Sequence, residues 1–212
     1  MPAILDSTFR MKYGSQLPGG EEQITYALFD TVTYISASST NITFFNAVRT
    51  DKTKSNMEVA GQLAAPKYFV IFAIRIVPYI VPSVQNTTTQ TTAIINLWRD
   101  VFRLTFLSRF VLTIGSKTYT NMPGHMFPAG SGVSGFGAGM LFGVTTANKD
   151  FVMHASNGVP DVRNVYSLNR PRLIEPQINF QADLFWNSAV TLDASDTEVQ
   201  VILDGTLYRP IQ

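Results

Sequence analysis

Cysteine is missing from the chain. That removes disulfides, thiolate chemistry and cysteine-based zinc sites together. Histidine is nearly missing, with His125 and His154 the only two. Neither has an Asp or Glu one turn away on a convincing helix, so a base paired with an acid would have to be assembled by the fold. No His-Glu-x-x-His pair, calcium loop or Gly-x-Ser-x-Gly elbow occurs. Ser131 and Ser134 lie among glycines with no base beside them. Charge is scarce as well, at 15% of 212 residues, against about a quarter in an ordinary soluble domain. The net charge of +1 supplies no basic field of the kind a nucleic-acid footprint needs. Met1 to Arg10 lacks a cationic stretch followed by an apolar run, so no secretory leader is expected there.

What is present is alternation. Ile178, Phe180, Ala182, Leu184 and Trp186 recur at every second position, and Val199, Val201, Leu203 and Leu207 share one parity. A period of two is what a pleated strand with one buried face requires. Glu21 to Tyr34 reads the same way, with Ile24, Tyr26 and Leu28 on one face. Asn41 to Val48 is a further strand candidate. Gly115-Ser116, between Val111–Ile114 and Lys117–Thr120, suits a two-residue hairpin turn of type II′. Arg103 to Phe106 also reads as extended, and short strands are expected at 151–153 and 162–166.

The run from Tyr68 to Val84 is apolar apart from Arg75 and Ser83 and raises the question of a membrane span. Arg75 near its middle is costly in lipid, and Pro78 and Pro82 interrupt its second half. A buried strand over Phe69 to Val77, covered on both faces, is the better reading. Thr92 to Phe102 is read as a short helix, with Ile95, Trp98 and Phe102 on its buried stripe and Arg99 and Asp100 turned away. Both Trp98 and Trp186 have core explanations, so no sugar platform is expected from them.

Residues 1–20 read as an N-terminal arm ending in Leu-Pro-Gly-Gly. Residues 21–212 read as a single domain, since no polar linker divides them. Within that domain, 121–143 is a Gly-rich loop punctuated by Phe127, Phe136, Met140, Leu141 and Phe142. Gly130, Gly132 and Gly135 match Gly-x-Gly-x-x-Gly, but no strand and helix flank them, so the loop is not read as a phosphate cradle. The cluster Arg49, Asp51, Lys52, Lys54 and Glu58 is either a solvated loop or a set of charge pairs across a subunit boundary. Arg103 and Arg109 either reach water at the sheet margin or pair across such a boundary. Asp183, Asp193, Asp196, Glu198 and Asp204 surround the last two strands. Asp183 and Asp204 would face each other if those strands formed a hairpin, the arrangement a glycosidase pair requires. Like charges placed opposite are unfavourable, so solvent-facing positions are preferred for them. Arg170-Pro171-Arg172 and Glu175-Pro176 read as a rigid connection before the terminal strands.

These features predict an all-β fold: a jelly-roll β-sandwich with an N-terminal arm, one short helix and long loops. Gln-Leu-Ala-Ala-Pro-Lys-Tyr-Phe-Val-Ile at 62–71, Leu-Thr-Ile-Gly-Ser-Lys-Thr-Tyr at 112–119 and Val-Ile-Leu-Asp-Gly-Thr-Leu-Tyr-Arg-Pro-Ile at 201–211 carry a resemblance. Over roughly 60–211, the chain resembles the major capsid proteins of small tailless icosahedral bacterial viruses. The resemblance implies a virion subunit, not an enzyme, with no catalytic, cofactor or metal residues and no small-molecule substrate. It implies a trimer or larger capsomer repeated around a shell, contacts with other virion proteins, and genome or internal-membrane contact through the arm. Phe and Met surfaces would be buried between subunits, with Lys52 or Lys54 setting register against a neighbouring acid. The competing expectations are a carbohydrate-binding or host-attachment sandwich, a surface-layer or filament subunit, and a hydrolase in which His125 or His154 meets a carboxylate only in the fold.

Overall fold

A computed structural model describes residues 21–79, 99–128, 163–193 and 196–211. The arm at 1–20, the Thr-rich stretch 84–92, Ile95, Trp98, residues 129–143 of the Gly-rich loop, the expected strand at 151–153 and His154 lie outside them. Eight strands follow in order: β1 (Glu21–Tyr34), β2 (Asn41–Phe44), β3 (Tyr68–Tyr79), β4 (Ser108–Ile114), β5 (Lys117–Pro123), β6 (Tyr166–Ile174), β7 (Phe180–Trp186) and β8 (Thr197–Pro210). They form two four-stranded sheets, ordered β1-β8-β3-β6 and β2-β7-β4-β5. The antiparallel partners β1 and β8, β2 and β7, β3 and β6, and β4 and β5 are those of one long hairpin folded over on itself. That is the strand order of a jelly roll, the all-β sandwich expected from the alternation.

The alternation explains how each sheet finds its inner face. In β8, Val199, Val201, Leu203 and Leu207 are all buried; so are Phe180, Ala182, Leu184 and Trp186 in β7. Gly205 interrupts the apolar series of β8 for a steric reason. A Cβ there would lie 2.0 Å from the Val70 carbonyl oxygen and 2.7 Å from Phe69 Cζ. It sits opposite the register shift between Ile71 and Ala73. That bulge also moves the inward parity of β3, from Phe69 and Ile71 to Ile74 and Ile76, all four in the main core. Residues such as Phe69 and Phe110 each contribute about 2–3 kcal/mol by leaving water, before conformational entropy is subtracted.

β3 is an interior strand, and its outer face is also covered. Tyr68 and Val70 form a second small cluster with Tyr208, flanked by Phe72 and Leu173. The expected cover on both faces is thus present at the start of β3, while Phe72, Arg75 and Val77 on its outer face are half-buried. No helix among the described residues is long and apolar enough to cross a membrane. The β4–β5 hairpin turns at Gly115-Ser116, with Ile114 paired to Lys117. Gly115 has φ +60° and Ser116 does not share the positive φ, as a II′ turn requires.

Several expectations are corrected. Residues 99–106 are helical and form α1, so Arg103 to Phe106 is not extended. Its buried residues are Asp100, Val101, Leu104 and Thr105, while Phe102 is exposed. Asp100 turns inward because its carboxylate accepts the Asp193 backbone N–H, at 2.9 and 3.0 Å. Ile178 is 40% exposed. It precedes β7 in a turn where Gln177 has φ +60° and Ile178 N–H reaches the Glu175 carbonyl at 3.3 Å. Residues 170–174 belong to β6 rather than to a connection. Pro171 is tolerated because β6 is an edge strand, where a missing N–H costs no ladder bond. β5 runs on to Pro123, so the Gly-rich loop starts later than expected. The last two strands lie in different sheets, so they form no hairpin.

Candidate functional site

The separation of β7 and β8 disposes of the carboxylate pair. Asp204 takes two hydrogen bonds from Arg75, at 2.6 and 2.7 Å, on the outer face of its sheet. Asp183 accepts from Thr43 Oγ1 at 2.6 Å and Gln181 Nε2 at 3.0 Å in the other sheet. Among the described residues no three His, Asp or Glu side chains gather into a cation site. Ser131 and Ser134 lie outside the described residues. The loop charges pair within the chain. Arg49 Nε donates to buried Asp30 at 2.6 Å, Lys67 pairs with Glu58 at 2.6 Å, and Lys54 pairs with Glu198. Lys52 Nζ reaches the Met57 carbonyl at 3.3 Å. Lys54 thus has an acid in its own chain.

The feature that remains is one end of the sandwich. Phe102 and Phe106, spaced by four on α1, share a stripe. Their rings stack with centroids 4.3 Å apart and planes 16° from parallel. The His125 ring stacks on Phe106 at 4.8 Å and 9°. It is carried there by the 3-10 turn Gly124–Met126 that ends β5. Glycine at 124 makes this approach possible, since a Cβ there would meet Ser108 Oγ at 2.0 Å and the Thr105 carbonyl at 2.9 Å. Phe102, Phe106, Leu107 and Met126 are 40, 51, 60 and 41% exposed. At about 200 Å² for a whole large side chain, they open roughly 350 Å² of apolar surface, the scale of the largest patch on a typical monomer.

The stack rests on a fixed base. Arg103 donates to the Thr191 carbonyl at 2.9 Å and pairs with Asp193 at 2.9 Å, while Arg99 pairs with Asp193 at 3.2 Å. Trp186 Nε1 donates to the Leu104 carbonyl at 3.3 Å. Together with the Asp193 bond to Asp100, these contacts fasten α1 to the β7–β8 loop. The rings therefore project from a rigid body. Arg103 is a paired structural residue, not a free margin cation. Arg109 instead lies over the Phe185 ring at 5.3 Å. Alternation within 103–106 concealed the Phe102–Phe106 stripe, and no sequence signal connected it to His125.

The sheet edges are blunted by four different devices. On β1, Asn56 clasps the free edge, accepting from Phe29 N–H at 3.0 Å and donating to the Ala27 carbonyl at 2.7 Å. β2 has only four residues. β5 carries a register shift facing Leu112 and Thr113 and ends in Pro123. β6 carries Pro171 between Arg170 and Arg172. Contact with another chain is thereby steered away from strand addition and toward side-chain surfaces.

No protein-family model, curated protein or solved structure matches the chain, so the jelly-roll assignment stands on strand order and register.

Proposed function

We propose that the chain is a structural subunit of an icosahedral viral shell, located in the virion capsid and working through shape and contact rather than through a reaction. A fold alone does not specify a function. The observation that carries this reading is the exposed Phe102–Phe106–His125 stack with Leu107 and Met126. An apolar centre of this size suits one side of a standard interface, which covers about 800 Å² per partner. Closed symmetry would then multiply a modest contact into a shell built from trimers or larger capsomers. The low charge content and the blunted edges fit the same use. Stacking turns the ring faces toward one another, which suits burial under a neighbour better than a sugar platform needing an open face.

The test is negative-stain imaging of the purified native assembly, beside Phe106→Ser combined with Leu107→Ser. Closed shells for the parent chain and folded, unassembled subunits for the variant are expected. Planar arrays or filaments would favour a surface-layer or filament subunit. A solitary parent molecule that binds glycan would favour an attachment module.

A further inference from the structure

The charged side chains are segregated in a way that the net charge of +1 conceals. Residues 101–128 and 163–174 contain no Asp or Glu. They build β4, β5 and β6, and the edge strands β5 and β6 meet on one flank of the sandwich. There the Tyr166 hydroxyl donates to Met122 Sδ at 3.3 Å, and the Arg172 guanidinium lies 5.1 Å from the centre of the Tyr119 ring. Lys117, Arg170 and Arg172 stand on this flank and make no ion pair with any described residue. By contrast Arg49, Lys54, Lys67, Arg75 and Arg209 each hold an acid of their own chain.

We propose that the β5–β6 flank binds the phosphate backbone of a single-stranded nucleic acid, with Lys117, Arg170 and Arg172 contacting phosphates and Tyr119 stacking a base. Cations that hold no acid among the described residues, beside an aromatic ring, are the two elements of sequence-tolerant single-strand binding: one follows the backbone, the other takes a base face. Arg172 covers one side of Tyr119, and the ring remains 40% exposed. An acidic flank on a second copy is disfavoured as the occupant. Lys54, Lys67, Arg75 and Arg209 already engage Glu198, Glu58, Asp204 and Glu22. An anionic membrane is disfavoured because Tyr119 is the one exposed large apolar residue of β5 and β6, too little to anchor in the acyl boundary.

The test is fluorescence anisotropy of the full chain with a labelled oligothymidylate of about 20 nucleotides, over a range of salt. Affinity should fall with salt at a log–log slope of about −2, the value for three phosphate contacts on a single strand. Lys117→Glu with Arg170→Glu should weaken binding at least tenfold. Lys117→Gln with Arg170→Gln, which spares the fold any reversed charge, should weaken it less but in the same direction. Tyr119→Ala should weaken it about fivefold. Lys52→Glu, on the opposite flank, should leave it within about twofold. Absence of salt-dependent binding, or an equal loss in Lys52→Glu, would overturn the proposal. So would binding to phosphatidylserine vesicles without binding to the oligonucleotide, or equal affinity for a duplex of the same length. Imaging reads particle symmetry and anisotropy reads oligonucleotide affinity, so this proposal and the shell reading can fail separately.

Discussion

Along the β1–β2 flank the chain answers its own charges, whereas along the β5–β6 flank no described residue answers them. On the first, Asp30 faces the core with no exposure, accepts from Phe45 N–H at 2.7 Å and takes Arg49 from the following loop. That carboxylate ties β1 of one sheet to the chain leaving β2 of the other. Asn56 closes the β1 edge, and Met57 and Leu63 of the same loop join the main core. On the second, proline and a bulge blunt the edges, and Lys117, Arg170 and Arg172 hold no carboxylate among the described residues. The difference teaches where side chains act on stability and where they are free to act on something else. Polar residues used to seal a flank are committed to the fold; polar residues left over on the other flank are available to a partner.

The strongest way to break that contrast is Asp30→Ala. It strands the Phe45 N–H in the core and removes the partner of Arg49. Loss of one member of a buried pair costs roughly 3–5 kcal/mol, and the lower figure applies here because Arg49 can turn to water. A fall of about 3 kcal/mol in unfolding free energy by urea denaturation is expected. Asp30→Asn keeps an oxygen for the Phe45 N–H and should lose about half as much. A loss under about 0.5 kcal/mol for Asp30→Ala would mean that the flank is not sealed by this residue.

Next in size is Asn56→Ala. Two side-chain hydrogen bonds to the β1 edge disappear, together worth about 1–2 kcal/mol. The edge they covered becomes a template for pairing. Light scattering on heating should therefore rise at a lower temperature than the stability loss alone predicts. Unchanged scattering would show that another device guards the β1 edge.

How far this contrast was legible in the sequence depends on the range of the interaction. β1, β7 and β8 were readable because alternation is local and one buried face imposes it. β3 was readable as an interior strand because its run is apolar on both faces. α1 was misjudged because Arg103-Leu104-Thr105-Phe106 alternates as a strand does, and Asp100 turns inward for a partner 93 residues away. β6 was hidden by Pro171, since tolerance of proline depends on being at an edge and edges are set by the whole topology. The ring stack joins two separate connections, and His125 showed no local sign of it. Net charge summed away the segregation of cations, which exists only after the strands are ordered and the pairs assigned.

Acid provides a gentler probe of the closed flank. Asp51 accepts from Thr53 Oγ1 at 2.6 Å and Thr53 N–H at 2.9 Å. These hydrogen bonds, first from the hydroxyl and then from the backbone, hold its pKa below the ordinary carboxylate value, with Lys54 adding to the effect. A depressed folded pKa means that the unfolded chain takes up the proton first as pH falls. The stabilising contribution is then complete above the unfolded pKa near 3.8 and disappears as pH falls through the lower folded value. Removing this acceptor with Asp51→Ala should take away that small contribution at neutral pH and leave stability below the folded pKa unaltered, flattening a small part of the acid limb. NMR titration of the Asp51 carboxyl giving a midpoint above the ordinary value would refute the assignment.

The smallest expected effect is also the sharpest test of the contrast. Lys117→Ala and Arg170→Ala remove cations that hold no acid among the described residues and stand exposed on edge strands. Neither should move the urea midpoint by more than the equivalent of about 0.5 kcal/mol, the ordinary range for a surface substitution. Removing a cation from a flank with no carboxylate among its described residues even relieves mutual repulsion, so a slight gain at low ionic strength is expected, fading as salt screens it. A loss comparable to that of Asn56→Ala would mean that the open flank is sealed by contacts of its own. Lys117 and Arg170 would then be structural residues, and the division between a closed and an available side of the sandwich would not hold.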